Sequence, residues 1–173
     1  ELLPYWRLFF GTTQLSFAGF NEISGLAINQ LTLVDREACF RAGDAFTPEG
    51  RYALRMTTAS DATLTLAQKG EIPADAQFLI CRSGGLFEVA INGAPLSRLD
   101  PLNLTSRVYS ISAYAGQDVE LTFTAKRPDG FPIVNVSGGG FLDSIAFVVP
   151  EPSTWSLVAV GGLGILWHGL RRG

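Results

Sequence analysis

Residues 86–99 read LFEVAINGAPLSRL, and the pattern is that of a β-hairpin. Phe87, Val89 and Ile91 alternate with Glu88 and Ala90, so one apolar edge runs into Asn92-Gly93. That dipeptide favours the left-handed backbone of a two-residue hairpin turn, and Leu96 is read as the start of the return strand. Working outward, TQLSFAGF (13–20), GLAINQLTLV (25–34), RYALRMTT (51–58) and ATLTLAQK (62–69) are short apolar or alternating runs. AQFLICR (76–82) is strongly apolar and is read as ending at Ser83-Gly84-Gly85. RVYSISAY (107–114) and VELTFTAKR (119–127) follow, and the second places Val119, Leu121, Phe123 and Ala125 on one face. A glycine segment, 138–140, leads into the closing run FLDSIAFVV (141–149).

These runs amount to roughly eight to ten strands, with no amphipathic helix of twelve residues before residue 149. A half-buried strand with one apolar face needs a second sheet over it. The expectation is therefore an all-β chain, an antiparallel β-sandwich of jelly-roll type over residues 1–148. No repeat of fixed period supports a propeller or solenoid.

Composition agrees with a packed body. Of 173 residues, 47% are hydrophobic and 17% charged, which excludes a disordered chain. Setting aside Glu151, Arg171 and Arg172 from 16 acidic and 13 basic residues leaves 15 against 11, with no basic patch. Nucleic-acid binding is disfavoured, because phosphate neutralisation needs clustered Lys and Arg. The chain starts at Glu1 without a charged-then-apolar leader, which reads as a removed signal peptide or, more readily, as a piece of a longer protein. The two cysteines, Cys39 and Cys81, allow one disulfide in an oxidising compartment or two buried small hydrophobes.

Residues 149–173 differ in character. Pro150-Glu151-Pro152-Ser153 forms an extended joint, since each proline ring fixes φ and removes a donor. Residues 155–170 carry no formal charge, and Arg171-Arg172 follow as a basic end. As a helix the span would reach roughly 24 Å, short of a hydrocarbon core of about 30 Å. The expectation is one C-terminal transmembrane helix over 155–170, with the stop-transfer arginines 171 and 172 in the cytoplasm and the body outside. A buried core helix is the competing reading, disfavoured by the proline joint, the terminal position and the arginines.

This tail resembles the PEP-CTERM sorting signal of exopolysaccharide-producing Gram-negative bacteria, through Val149 to Ser153, the short apolar span and the closing arginines. The resemblance implies recognition by an exosortase, a membrane transpeptidase-like enzyme. It implies that Pro150, Glu151 and Pro152 are the recognition residues beside Ser153, and that the span is a temporary inner-membrane anchor. Residues 111–125 (ISAYAGQDVELTFTA) with 141–153 (FLDSIAFVVPEPS) are similar to the C-terminal half of galactose-binding-like jelly rolls, a likeness covering about residues 76–148. In such jelly rolls an acidic residue of the last strand can help to hold a structural Ca²⁺. The corresponding residue is Asp143, with Glu22 or Asn21 as its mate, although Ser144 stands where many relatives carry a second Asp. The alternative is that Asp143 points to solvent on the polar face of its strand.

Catalysis by histidine is excluded in the body, because the one histidine, His168, lies in the tail. A glycosidase needs two facing carboxylates, and no spacing marks out such a pair. The chain is expected not to be an enzyme. A sugar site would use loop aromatics as stacking platforms, with Trp6, Tyr114 and Phe131 as the candidates; each has core or edge packing as its plainer use. The expectation is an exported cell-surface or extracellular-matrix protein whose sandwich binds carbohydrate, an exopolysaccharide in particular. The rivals are a structural surface protein without a small ligand and, more weakly, a fragment of a secreted hydrolase.

Overall fold

The computed structural model describes residues 5–16, 19–20, 29–41, 49–58, 63–100, 105–125 and 138–149. Among them run twelve strands: β1 (Arg7–Phe10), β2 (Thr13–Leu15), β3 (Gly19–Phe20), β4 (Gln30–Asp35), β5 (Tyr52–Thr58), β6 (Leu64–Glu71), β7 (Phe78–Leu86), β8 (Glu88–Ile91), β9 (Ala94–Pro95), β10 (Ser106–Ser110), β11 (Asp118–Ala125) and β12 (Gly138–Val148). One short helix, α1 (Arg36–Arg41), follows β4, and a 3₁₀ turn spans Ser112–Tyr114.

The strands form two six-stranded sheets, ordered β2-β1-β6-β11-β8-β9 and β10-β7-β12-β5-β4-β3. From β5 onward the pairing is nested: β5 pairs with β12, β6 with β11, β7 with β10, and β8 with β9. That is one long hairpin rolled over on itself, the connectivity of a jelly roll. Its tip is the Asn92-Gly93 turn, where φ is 50° and 78°. The return strand starts at Ala94, two residues before the expected Leu96. All pairings are antiparallel except β3 with β4.

The alternation seen in the sequence sets which side chains enter the core. In β11, Val119, Leu121, Phe123 and Ala125 are buried while the residues between them are not. They meet Leu54 and Met56 of β5, Leu64 and Leu66 of β6, Val89 and Ile91 of β8, and Leu142 of β12 in one core between the sheets. Full burial of each large apolar side chain contributes about 1.5–3 kcal/mol. A smaller second cluster, Val34, Ala38, Ala53 and Phe141, lies where α1 covers the other face of β4, β5 and β12. The Asp35 carboxylate caps α1 by accepting the Ala38 N–H at 2.8 Å.

Two turn expectations are corrected. Ser83-Gly84-Gly85 does not end its strand, and 138–140 does not merely lead into the closing strand but belongs to it: the two segments pair, Gly139 with Leu86, Gly140 with Gly85 and Phe141 with Gly84. Glycine is used there for close backbone approach rather than for a turn. The Cys39–Cys81 disulfide is also not formed, and Cys81 is a buried free thiol. Cys81 belongs to the core between the sheets, whereas α1, which carries Cys39, packs on the other face of the same sheet.

Candidate functional site

A half-enclosed cleft of about 390 Å³ opens between the two sheets. One wall comes from Trp6, Leu66, Gln68 and Leu121 of the β1-β6-β11 region, the other from β4, β5 and the Leu142–Phe147 part of β12. Strand parity explains the first wall. Leu8 of β1 and Leu66 of β6 face the core, so Trp6 and Gln68, two residues away, share that face where the sheets end. Trp6 packs on Phe123 with ring centroids 6.1 Å apart and planes tilted by 52°. On the outer face, Arg7 forms an ion pair with Glu120, tying the start of β1 across β6 to β11.

The second wall is shaped by a break in β12. The pairing of β12 with β7 shifts between Asp143 and Ala146, and Ser144 sits at φ 48°. This bulge turns Asp143, Ser144 and Ile145 all into the cleft lining, which strict alternation would forbid. The Asp143 carboxylate accepts the Glu49 N–H at 2.7 Å through Oδ2 and the Ser144 N–H at 2.7 Å through Oδ1. It therefore ties the segment before β5 to the bulge. The residue is half-buried.

Among the described residues no three acidic, cysteine or histidine side chains gather as a metal site. The expected Ca²⁺ mates Glu22 and Asn21 lie outside the described residues. Of the three expected sugar-stacking aromatics, Trp6 lines the cleft, Tyr114 packs against the main core, and Phe131 lies outside the described residues. Sequence reasoning missed Tyr52, Gln68 and Ser144. Gln68 carried a signal, as a polar residue at the inward parity of Leu64 and Leu66. Ser144 carried none, because the bulge that admits it is a tertiary feature.

β12 also carries the chain out of the sandwich. Val148 pairs with Phe78, and its carbonyl accepts the Gln77 N–H at 3.0 Å. From that residue onward, positions 148–172 match the PEP-CTERM protein-sorting motif. The chain carries a sorting signal. The PEP-CTERM motif marks an exported protein processed by exosortase, a membrane enzyme, with membrane-anchored transit before surface display. It begins one residue after Phe147, which lines the cleft. Pro150, Glu151, Pro152 and Ser153, the span 155–170, and Arg171 and Arg172 lie outside the described residues. Among the described residues no helix is long and apolar enough to cross a membrane. No curated protein and no solved structure matches the chain.

Proposed function

We propose that the jelly roll is a non-catalytic carbohydrate-binding body, galactose-binding-like over residues 76–148, that the sorting tail delivers to the surface or matrix of a Gram-negative bacterium. Its ligand is an extracellular polysaccharide. The observation that supports this is the cleft beside Trp6. A sugar ring presents an apolar C–H face and a polar rim, and the cleft offers aromatic walls in Trp6 and Tyr52 with Gln68 and Ser144 beside them. Among the described residues Asp143 is the one carboxylate in the lining, and both its oxygens already accept backbone N–H groups. A glycosidase needs two carboxylates with separate roles, so binding without hydrolysis fits this lining better.

The test is binding of the purified protein to a panel of polysaccharides, compared with Trp6→Ala. Saturable binding that weakens about tenfold, near the 1.4 kcal/mol expected for an aromatic platform, supports the reading. No binding to any glycan by folded protein overturns it and favours a structural surface protein. The sorting half is tested separately by replacing Pro150, Glu151 and Pro152 with alanine. The full-length chain should then accumulate in the membrane fraction; unchanged processing would contradict the assigned recognition residues.

A further inference from the structure

The inner face of the β7–β10 pair carries a polar group that the sorting motif and the cleft do not use. Arg107 of β10 stands opposite Cys81 of β7 in register, with Ser83 and Tyr109 each two residues along on the same side. All are inside: Arg107 is 3% exposed, Tyr109 1% and Ser83 0%. The Arg107 guanidinium donates through Nη2 to the Gly85 carbonyl and faces the Tyr109 hydroxyl, while its Nε and the Ser83 Oγ have no hydrogen-bond partner.

The charge balance is equally one-sided. Among the described residues no carboxylate forms an ion pair with Arg107. The charge that acts on it most strongly is another cation, Arg98, whose backbone bridges Tyr109 from the segment between β9 and β10. Burial first, and then Arg98, hold the Arg107 guanidinium below its ordinary range. Cys81 cannot neutralise it, because burial pushes the thiol up to about 11 and keeps it uncharged near neutral pH. An uncompensated buried guanidinium costs several kcal/mol, and each buried polar group left unpaired adds to that. Whatever satisfies the Arg107 Nε–H must accept a hydrogen bond, because a guanidinium only donates, and the Ser83 hydroxyl can donate to the same acceptor. It must also be negative, and small enough for an enclosed position between strands.

We propose that Arg107, Ser83 and Tyr109 form an internal site for a small monovalent anion of chloride's size. The ion neutralises Arg107 and joins the edge strand β10 to β7, beside the glycine pairing of β7 with β12. This site is independent of the carbohydrate reading and stands or falls separately.

The test uses the purified full chain in non-ionic detergent, with sodium chloride replacing sodium gluconate at constant ionic strength. Chloride should raise Tm saturably by about 3–6 °C, the size expected for a ligand held only by the native state. Arg107→Met should remove the chloride-specific rise. If that variant does not fold, Ser83→Ala and the wild-type ³⁵Cl resonance decide. Chloride binding predicts a smaller Tm response in Ser83→Ala, and excess line broadening in the wild type that bromide competes away. Equal Tm in the two salts, or equal chloride response in wild type and variants, overturns the site.

Discussion

A Cβ placed on Gly140 would lie 1.9 Å from the carbonyl oxygen of Gly84 on the neighbouring strand. Gly140 has φ 154°, Gly139 has φ 92°, and a Cβ on Gly139 would lie 2.1 Å from the Met56 carbonyl oxygen on the other side. β12 is held between β7 and β5 at this point by backbone alone. Gly140→Ala is therefore expected to destabilise the fold by about 2 kcal/mol or more, because both the contact and the backbone angle exclude a side chain. Gly70→Ala is the control, since a Cβ there meets nothing within 4 Å. Its effect should stay within about 0.5 kcal/mol. Urea denaturation of the two variants compares them directly.

Asp143 predicts a structural phenotype. Removing its carboxylate leaves the Glu49 and Ser144 N–H groups without this acceptor. Asp143→Ala should cost about 1–3 kcal/mol, and Asp143→Asn less, because an amide oxygen can still accept one of the bonds. Denaturation curves with and without a chelator check this. If the carboxylate acts through these two bonds, the loss is the same in both conditions.

The hairpin tip is a second place where a side chain holds the roll together. Asn92 donates its backbone N–H to the Glu120 carbonyl at 2.9 Å, and its Oδ1 accepts the Glu120 N–H at 2.8 Å. It does so at φ 50°, a conformation that asparagine tolerates better than alanine. Asn92→Ala should lower stability by about 1–2 kcal/mol, while Asn92→Gly should recover part of the loss. Equal losses in the two variants would assign the effect to the side-chain bond alone.

Cys81 gives a pH dependence with a definite sign. Its thiol has an ordinary value of 9.0 and is pushed up to about 11 by burial, with Arg107 and Arg98 opposing the shift. Between those values the unfolded chain has lost the proton and the native chain keeps it, so stability falls as pH rises from 9 to 11. Burial also raises the Tyr109 hydroxyl, adding to the same trend. Cys81→Ala should flatten the fall without abolishing it. In the native protein near neutral pH the thiol should resist alkylation and react only on unfolding, as mass spectrometry can follow.

How much was legible in the sequence varies by element. β11 was readable because Val119, Leu121, Phe123 and Ala125 follow the period of a pleat, and the fold buries those same four. The Asn92-Gly93 turn was readable because its backbone requirement is local. The candidate cleft was only partly visible. Trp6 could be named as an end-lying aromatic, but its partners in the lining are spread along the chain from Leu33 to Phe147, and no local pattern joins them.

The sequence by itself determined the strand character of the body, the tip of the hairpin and the sorting tail, because pleat period, turn chemistry and a contiguous motif are written in neighbouring residues. The tertiary structure decided the rest. It fixed the nested pairing, the glycine contact of β7 with β12, the separation of Cys81 from α1, and the bulge that brings Asp143 and Ser144 into the cleft. Each depends on which strand lies beside which, and that is set by burying all the apolar faces at once rather than by any one segment.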